Sequence, residues 1–365
     1  MSPGREPCLN FLLLFGGRST EHEVSRASAE SVSRALRPER YRLFPLYITP
    51  EGGWHLVPEV SAPSSGERAI LSPEPGGACL ISPSGGKPLT PPLDVAFPLL
   101  HGTFGEDGTV QGLLELAELP FIGSGTAASA AATDKALSKL LFRASGIPIL
   151  DYKLIHRAAW ERDRKRVLEE TLELPLPLFV KPSSLGSSVG VSRVDEEEKL
   201  EAAIEHAFGF DAKVLVEVAA EGREVECSLL EEEPGLPPLA SPIAEIVPKR
   251  GFYDYEAKYT PGLTEILIPA SLPEEVAEGL KELSRRGFMA LGCSGLARAD
   301  FFYREDSGEV FLNEINSMPG FTELSVYPRL FEEAGIPYPE LIDRLVEVAL
   351  KRARLHSQRR FRRGG

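Results

Sequence analysis

The 365-residue chain predicts a mixed α/β protein, with a doubly wound parallel domain at its amino end followed by two smaller lobes of strands and helices. Three observations carry that prediction. Apolar runs of strand length alternate with segments of helical period through the first 133 residues. A strand-like run, LFVKP, carries a lysine and is followed by the glycine-serine stretch SSLGSSVG. Two further strands, GLARADFFYR and EVFLNEIN, are joined through EDSG and bring acidic residues to one hairpin.

The elements follow in order. LNFLLLFGG reads as a buried strand and glycine turn, and Val24, Ala27, Val32, Ala35 and Leu36 then recur at helical spacing until Pro38 ends the helix. YRLFPLYI is a second strand, residues 50–92 read as loops and short hairpins, and DVAFPLLHG is a further buried strand ending at His101. In such a domain ligands bind beyond the carboxyl ends of the strands, which is where Glu21 and His101 fall. Residues 134–222 form a second unit: a helix over 134–144, LFVKP, the glycine-serine loop, the helix DEEEKLEAAIEHAF and the strand KVLVEV. Residues 223–350 add SPIAEIV, LTEILIPA and the acidic hairpin, with the helix LPEEVAEGLKELSRRGFMAL inserted.

Composition narrows the function. With 42% hydrophobic residues the chain can fill several cores, and its net charge of -14 argues against a general nucleic-acid or anionic-membrane binder. Only residues 351–365, KRARLHSQRRFRRGG, are strongly basic; lacking apolar periodicity, they are expected to form a frayed, solvated, disordered tail. Cys8, Cys79, Cys227 and Cys293 are too scattered for a metal or redox motif and read as reduced, mostly buried thiols. Residues 9–15 are too short for a membrane span and lead to no convincing cleavage site, so the expected location is cytoplasmic, without membrane insertion.

The acidic hairpin carries the chemistry. A turn centred near Ser307 sets Asp300 opposite Glu314 and Arg298 opposite Asn316, and strand alternation puts all four on one face. Opposed carboxylates repel unless a cation compensates them, and Asp, Glu and Asn oxygens suit Mg²⁺. A solvated face laced with salt bridges is the plainer alternative. Asn313, on the opposite face, does not fit the alternation. In a P-loop the glycines precede the lysine; here Lys181 precedes Gly186, Ser187, Ser188 and Gly190. A strand lysine facing a flexible loop, with acidic residues supplied from elsewhere, describes a nucleotide gripped between two sheets, the loop closing as a lid. Lys135, near a helix start, reads either as a second phosphate contact or as a surface lysine.

This arrangement resembles the ATP-grasp fold. Over nearly the whole chain the sequence resembles the D-alanine–D-alanine ligases, through GGRSTEHEVS, HGTFGEDGTVQG, KPSSLGSSVG, FYDYEAKY and NEINSMPGFT in that order. The resemblance implies that ATP phosphorylates one D-alanine and that the amine of a second attacks the acyl phosphate, giving the dipeptide used in peptidoglycan. It implies that Glu21 holds the first substrate's ammonium with His101 nearby, and that Ser325 and Val326 bind the second substrate. Lys135, Lys181 and Lys258, with Ser187 and Ser188 of the lid, would contact ATP phosphates. Glu217 and Ala220 would lie at the adenine hinge, and Glu224 on the ribose. Asp300, Glu314 and Asn316 would hold two Mg²⁺ ions, or Mn²⁺ in their place. Arg298 and the Gly320 amide would stabilise the oxyanion, and Ser187, Tyr259 and Glu21 would latch the closed site. Val218-Ala219-Ala220 is a small-residue version of a hinge that is often bulkier.

Two rival functions remain. A D-alanine–D-lactate ligase would use the same fold, but YDYEAKY, with Tyr259, matches the dipeptide-forming pattern. A non-catalytic nucleotide-binding module would be expected to have lost part of its metal set, and Asp300, Glu314 and Asn316 are all present. A homodimer is compatible with the sequence, which does not require one.

Overall fold

The computed structural model describes residues 8–63, 66–220, 222–249 and 264–358. At the amino end, β1 (Leu9–Gly16), β2 (Tyr41–Ile48), β3 (Trp54–Leu56) and β4 (Glu67–Arg68) share one sheet with β7 (Val95–Pro98), in the order β4-β3-β2-β1-β7. β5 (Ile70–Leu71) and β6 (Leu80–Ile81) pair separately as a short hairpin. The β2-β1-β7 core is parallel, as expected; β3 and β4 extend it antiparallel from the proline- and glycine-rich segment. From Phe11 to Phe15 every side chain of β1 is buried, because both faces of the strand are covered. One face packs with α1 (His22–Ala35) and the other with α2 (Thr109–Leu116), while α3 (Thr126–Thr133) leads onward.

The second sheet is antiparallel, ordered β10-β9-β11-β8 from β8 (Tyr152–His156), β9 (Leu178–Pro182), β10 (Ser192–Val194) and β11 (Lys213–Val218). Its core joins Leu178, Val180, Val214 and Val216 to Trp160 of α5 (Arg157–Arg162) and to Ile204 and Phe208 of α7 (Leu200–Phe208), with α6 (Arg164–Thr171) alongside. The preceding helix α4 (Lys135–Ala144) differs from expectation. Assigned to this unit by sequence, it buries Phe142 in the core of the third lobe, beside Phe288, Leu312 and Ile315. Its apolar face fits that surface, whereas the second sheet is already covered by α7.

The third sheet, β14-β13-β12-β15-β16, is antiparallel: β12 (Arg223–Leu230), β13 (Leu239–Pro248), β14 (Thr264–Leu267), β15 (Leu296–Tyr303) and β16 (Val310–Asn316). α8 (Glu274–Leu291) covers it with Leu280 and Phe288. α9 (Val326–Glu333) and α10 (Tyr338–Ser357) then return to the amino-terminal sheet. Phe321, Tyr327, Leu341 and Leu345 join Phe11, Phe15 and Phe97 in one continuous core, so the first and third units are fused. Buried Asp343 on α10 completes the junction, accepting bonds from Tyr41 Oη at 2.6 Å and from Arg37 and Arg40, each at 2.7 Å.

The basic tail also departs from expectation. α10 continues to Ser357, and Arg352 donates to the carbonyls of Phe121 and Gly123 while its guanidinium lies 4.7 Å from the Phe121 ring centre. A cation shielded by two carbonyls and a π-face can be buried, which anchors the start of the segment expected to fray. Cys227 and Cys293 are buried and Cys8 is exposed; none of the four is in a disulfide. Among the described residues no helix is long and apolar enough to cross a membrane.

Candidate active site

Two adjoining cavities lie between the sheets, with volumes of about 530 and 120 Å³. Lys135, Gly186, Ser187 and Glu314 line both, so the two spaces meet at the glycine-serine loop and the acidic hairpin. Of the residues singled out by sequence, Glu21, His101, Arg298, Asn316, Gly320, Ser325 and Val326 line the larger cavity. Lys181, Ser188, Glu217, Ala220, Glu224 and Asp300 line the smaller. Lys258 and Tyr259 lie outside the described residues.

The hairpin register is the expected one: Asp300 faces Glu314 and Arg298 faces Asn316. A β-bulge between Asp300 and Phe301 shifts the remaining pairs, leaving Asn313 as the extra residue and explaining why it broke the alternation. Each carboxylate has a cation near it. Arg298 reaches both oxygens of Asp300 at 2.7 Å and Glu226 at 3.0 Å, while the Lys135 ammonium lies 3.6 Å from Glu314. Among the described residues no three His, Cys, Asp or Glu side chains form a metal cluster. The hard-oxygen set is instead two carboxylates and the Asn316 carbonyl oxygen, which already accepts the Met318 amide at 3.0 Å. Such a set suits a cation that takes its remaining ligands from phosphate and water.

The loop after β9 folds back over the amino-terminal domain. Ser187 and Ser188 both adopt positive φ, 52° and 57°, a conformation disfavoured for residues with a Cβ. That backbone carries the Ser187 hydroxyl to Glu21 Oε1 at 2.5 Å, joining residues 166 positions apart. Glu21 is crowded from the other side: a Cβ on Gly102, whose φ is +73°, would lie 2.8 Å from its second oxygen. Lys135 holds the loop too, donating to the Leu185 carbonyl at 2.6 Å. Its helix is capped by Asp134, which accepts the Ala136 and Leu137 amides as well as the Ser183 hydroxyl.

His101 is buried, with Nδ1 3.0 Å from the Met318 carbonyl and 3.5 Å from Glu106, and Nε2 3.4 Å from Ser28 Oγ. Burial alone would lower the imidazole pKa, but the Glu106 bond and charge hold it above its ordinary value. Burial pushes the Glu106 carboxyl upward. At the far end of the larger cavity, Ser325 Oγ accepts the Thr322 amide at 3.1 Å, and a Cβ on Gly320 would lie 3.2 Å from that oxygen.

Glu217 is almost fully buried at the back of the smaller cavity, between Lys181 at 2.5 Å and Lys139. Burial would raise its pKa, but the two ammonium groups pull it below the ordinary carboxylate value. Sequence reasoning missed Lys139, Glu106 and Glu226. Lys139 had a signal: it falls between Ala136 and Phe142 on the buried stripe of α4, where a lysine must meet an anion.

An antiparallel sheet carrying a strand lysine and glycine-serine loop, set against a second carrying paired carboxylates, defines an ATP-grasp nucleotide-dependent ligase. Family models described as "D-ala D-ala ligase N-terminus" and "D-ala D-ala ligase C-terminus" match residues 10–124 and 141–347. The chain is 46% identical to a D-alanine–D-alanine ligase of Deinococcus radiodurans over 342 residues, covering 93% of this chain and 98% of that protein. It is 42% identical to one from Chloroherpeton thalassium over 364 residues, covering 96% and 98%. Among solved structures it is similar to the D-alanine–D-alanine ligase of Coxiella burnetii, with TM-score 0.81, 33% identity and 96% of each chain covered. It is also similar to the VanG D-Ala:D-Ser ligase of Enterococcus faecalis, with TM-score 0.83, 34% identity, and 94% and 100% covered. The chain belongs to the D-alanine–D-alanine ligase family.

Proposed function

We propose that this protein joins two D-alanine molecules into D-alanyl-D-alanine at the expense of ATP, for peptidoglycan synthesis. The observation that carries the reading is the meeting of the two cavities at Lys135, Ser187 and Glu314. A phosphate chain entering from the nucleotide side would end beside a carboxylate held in the larger space.

In the first step a D-alanine carboxylate oxygen attacks the γ-phosphorus; a P–O bond forms, the bond to the β-phosphate oxygen breaks, and ADP leaves. Lys135 and Lys181, with Lys258, offset the phosphate charge, and Ser188 and Ala220 contribute to the nucleotide site. Mg²⁺ held by Asp300, Glu314 and Asn316 would neutralise the charge of phosphoryl transfer. Glu21 accepts from the ammonium of the first substrate while the Ser187 hydroxyl bonds its other face, with His101 behind. In the second step the amine nitrogen of the other D-alanine attacks the acyl carbon. A C–N bond forms, phosphate departs with the acyl oxygen, and the nitrogen loses a proton. Arg298 and Gly320 line the larger cavity, where the guanidinium and the Gly320 amide would stabilise the oxyanion as it develops. Ser325 and Val326 receive the second substrate, and Glu224 receives the ribose hydroxyls.

The test is to incubate the protein with MgATP and each candidate substrate and to identify the product by mass. D-alanine should give the dipeptide and L-alanine should give none. D-serine and D-lactate, offered in competition as second substrates, should be incorporated less than D-alanine; preferential ester or D-alanyl-D-serine formation would replace the dipeptide reading.

A further inference from the structure

Lys139 has no exposed surface, does not line either cavity, and has no part in the steps above. It projects from α4, a helix packed into the third lobe, and its ammonium meets Glu217 on β11 of the second sheet. The two lysines divide the carboxylate between them: Lys139 faces Oε1 and Lys181 faces Oε2. Lys181 is 12% exposed and lines the smaller cavity, whereas Lys139 is sealed beneath it, with the Tyr152 ring 5.8 Å away.

A fully buried ammonium is costly unless paired, so its placement calls for an account. When Lys181 turns toward a phosphate, Oε2 of Glu217 is released toward the cavity. With Lys139 still on Oε1, the carboxylate keeps its charge in that dry setting; without it, a buried carboxyl would take a proton. The distinction matters for recognition. An ionised carboxylate only accepts hydrogen bonds, whereas a protonated one also donates. It therefore favours a purine with an amino group at position 6 and opposes one with a carbonyl there, whose oxygen would meet it acceptor to acceptor.

We propose that Lys139 is the positioning residue of the nucleotide-base pocket: by holding one oxygen of Glu217 it keeps that carboxylate acceptor-only, so that the other oxygen selects a 6-aminopurine over a 6-oxopurine. The proposal rests on the nucleotide reading of the smaller cavity and is independent of which amino acids are ligated. Lys139 thereby supplies base selectivity from a second layer, through the orientation and charge of a neighbour.

The experiment titrates the full-length protein with MgADP and MgIDP by calorimetry, so that it needs no ligation and a failure of the dipeptide reading leaves it interpretable. The wild type should prefer ADP by at least about tenfold, the equivalent of one modest hydrogen-bond mismatch. Lys139→Met should remove most of that preference by weakening ADP more than IDP, and Lys139→Arg should retain it. Glu217→Gln, whose amide both donates and accepts, should also remove it. Lys139→Met in the Glu217→Gln background should then change the ratio no further. An unchanged ADP:IDP ratio in Lys139→Met, with both affinities reduced alike, would show a purely structural lysine and overturn the proposal. Should that variant not fold, an unchanged ratio in Glu217→Gln overturns it as well. A wild type that binds both nucleotides equally, or neither, does the same.

Discussion

The second sheet and the amino-terminal sheet are tied to the rest of the molecule in opposite ways. The amino-terminal sheet shares its core with α9 and α10, and Asp343 with Tyr41, Arg37 and Arg40 seals the junction. The second sheet keeps a core of its own and meets its neighbours mainly through polar groups at the cleft: Ser187 with Glu21, and Lys139 with Glu217. Apolar fusion makes a frame; the Ser187–Glu21 contact makes a closure that substrate can compete for, and the Lys139–Glu217 pair is a buried tie. Glu21, His101, Gly320 and Ser325, which line the larger cavity and are proposed to position the amino acids, stand on the frame. Lys181, Ser188, Glu217 and Ala220, which line the smaller cavity and belong to the proposed nucleotide site, stand on the separate lobe. Substitutions in the two regions should therefore fail differently.

The largest effect is expected at the frame's edge of the cleft. Glu314→Gln should lower kcat by a factor of about a thousand or more while ATP affinity changes far less, because charge neutralisation matters most during phosphoryl transfer; steady-state kinetics and nucleotide titration separate the two. Asp343→Ala should cost about 2–3 kcal/mol of stability, since a buried tyrosine hydroxyl loses its acceptor and two arginines lose theirs. That loss reads as a fall of several degrees in Tm, with activity per folded molecule unchanged. Ser187→Ala should leave Tm in place and slow ligation by roughly tenfold, the worth of a hydrogen bond to a charged acceptor.

The smallest effect concerns pH. Contacts with Lys213 and Ser183 outweigh burial and hold the Asp134 carboxyl below its ordinary value of 3.8. A depressed folded-state pKa gives a contribution fully present above 3.8, which is lost as pH falls through the lower folded value. Stability curves of wild type and Asp134→Asn should run parallel above about pH 5 and converge below about pH 4, the gap being under about 1 kcal/mol because the group is partly solvated.

The acidic hairpin was legible in the sequence because turn and alternation together define register; even the misfit of Asn313 marked a real bulge. That Glu21 and His101 lie beyond the ends of parallel strands, where they line the larger cavity, was legible from the regularity of βα units. Contacts between distant segments were not. Arg352 lies in a basic run that looks solvated, and its carbonyl partners at Phe121 and Gly123 are supplied by another domain. Membership of α4 was hidden because an amphipathic helix shows that it has a buried face without showing what covers it. Lys139 and Glu106 were hidden by their type: ionisable residues read as surface unless a buried partner is known.

ATP consumed per dipeptide formed, compared between Ser187→Ala and Asp343→Ala, tests the division into frame and closure most directly. An acyl phosphate exposed to water is lost, so a site that fails to shut spends ATP without ligation. Wild type and Asp343→Ala should consume close to one ATP per dipeptide, while Ser187→Ala should consume well over one. Equal ratios in the two variants, or a raised ratio in Asp343→Ala alone, would contradict the account.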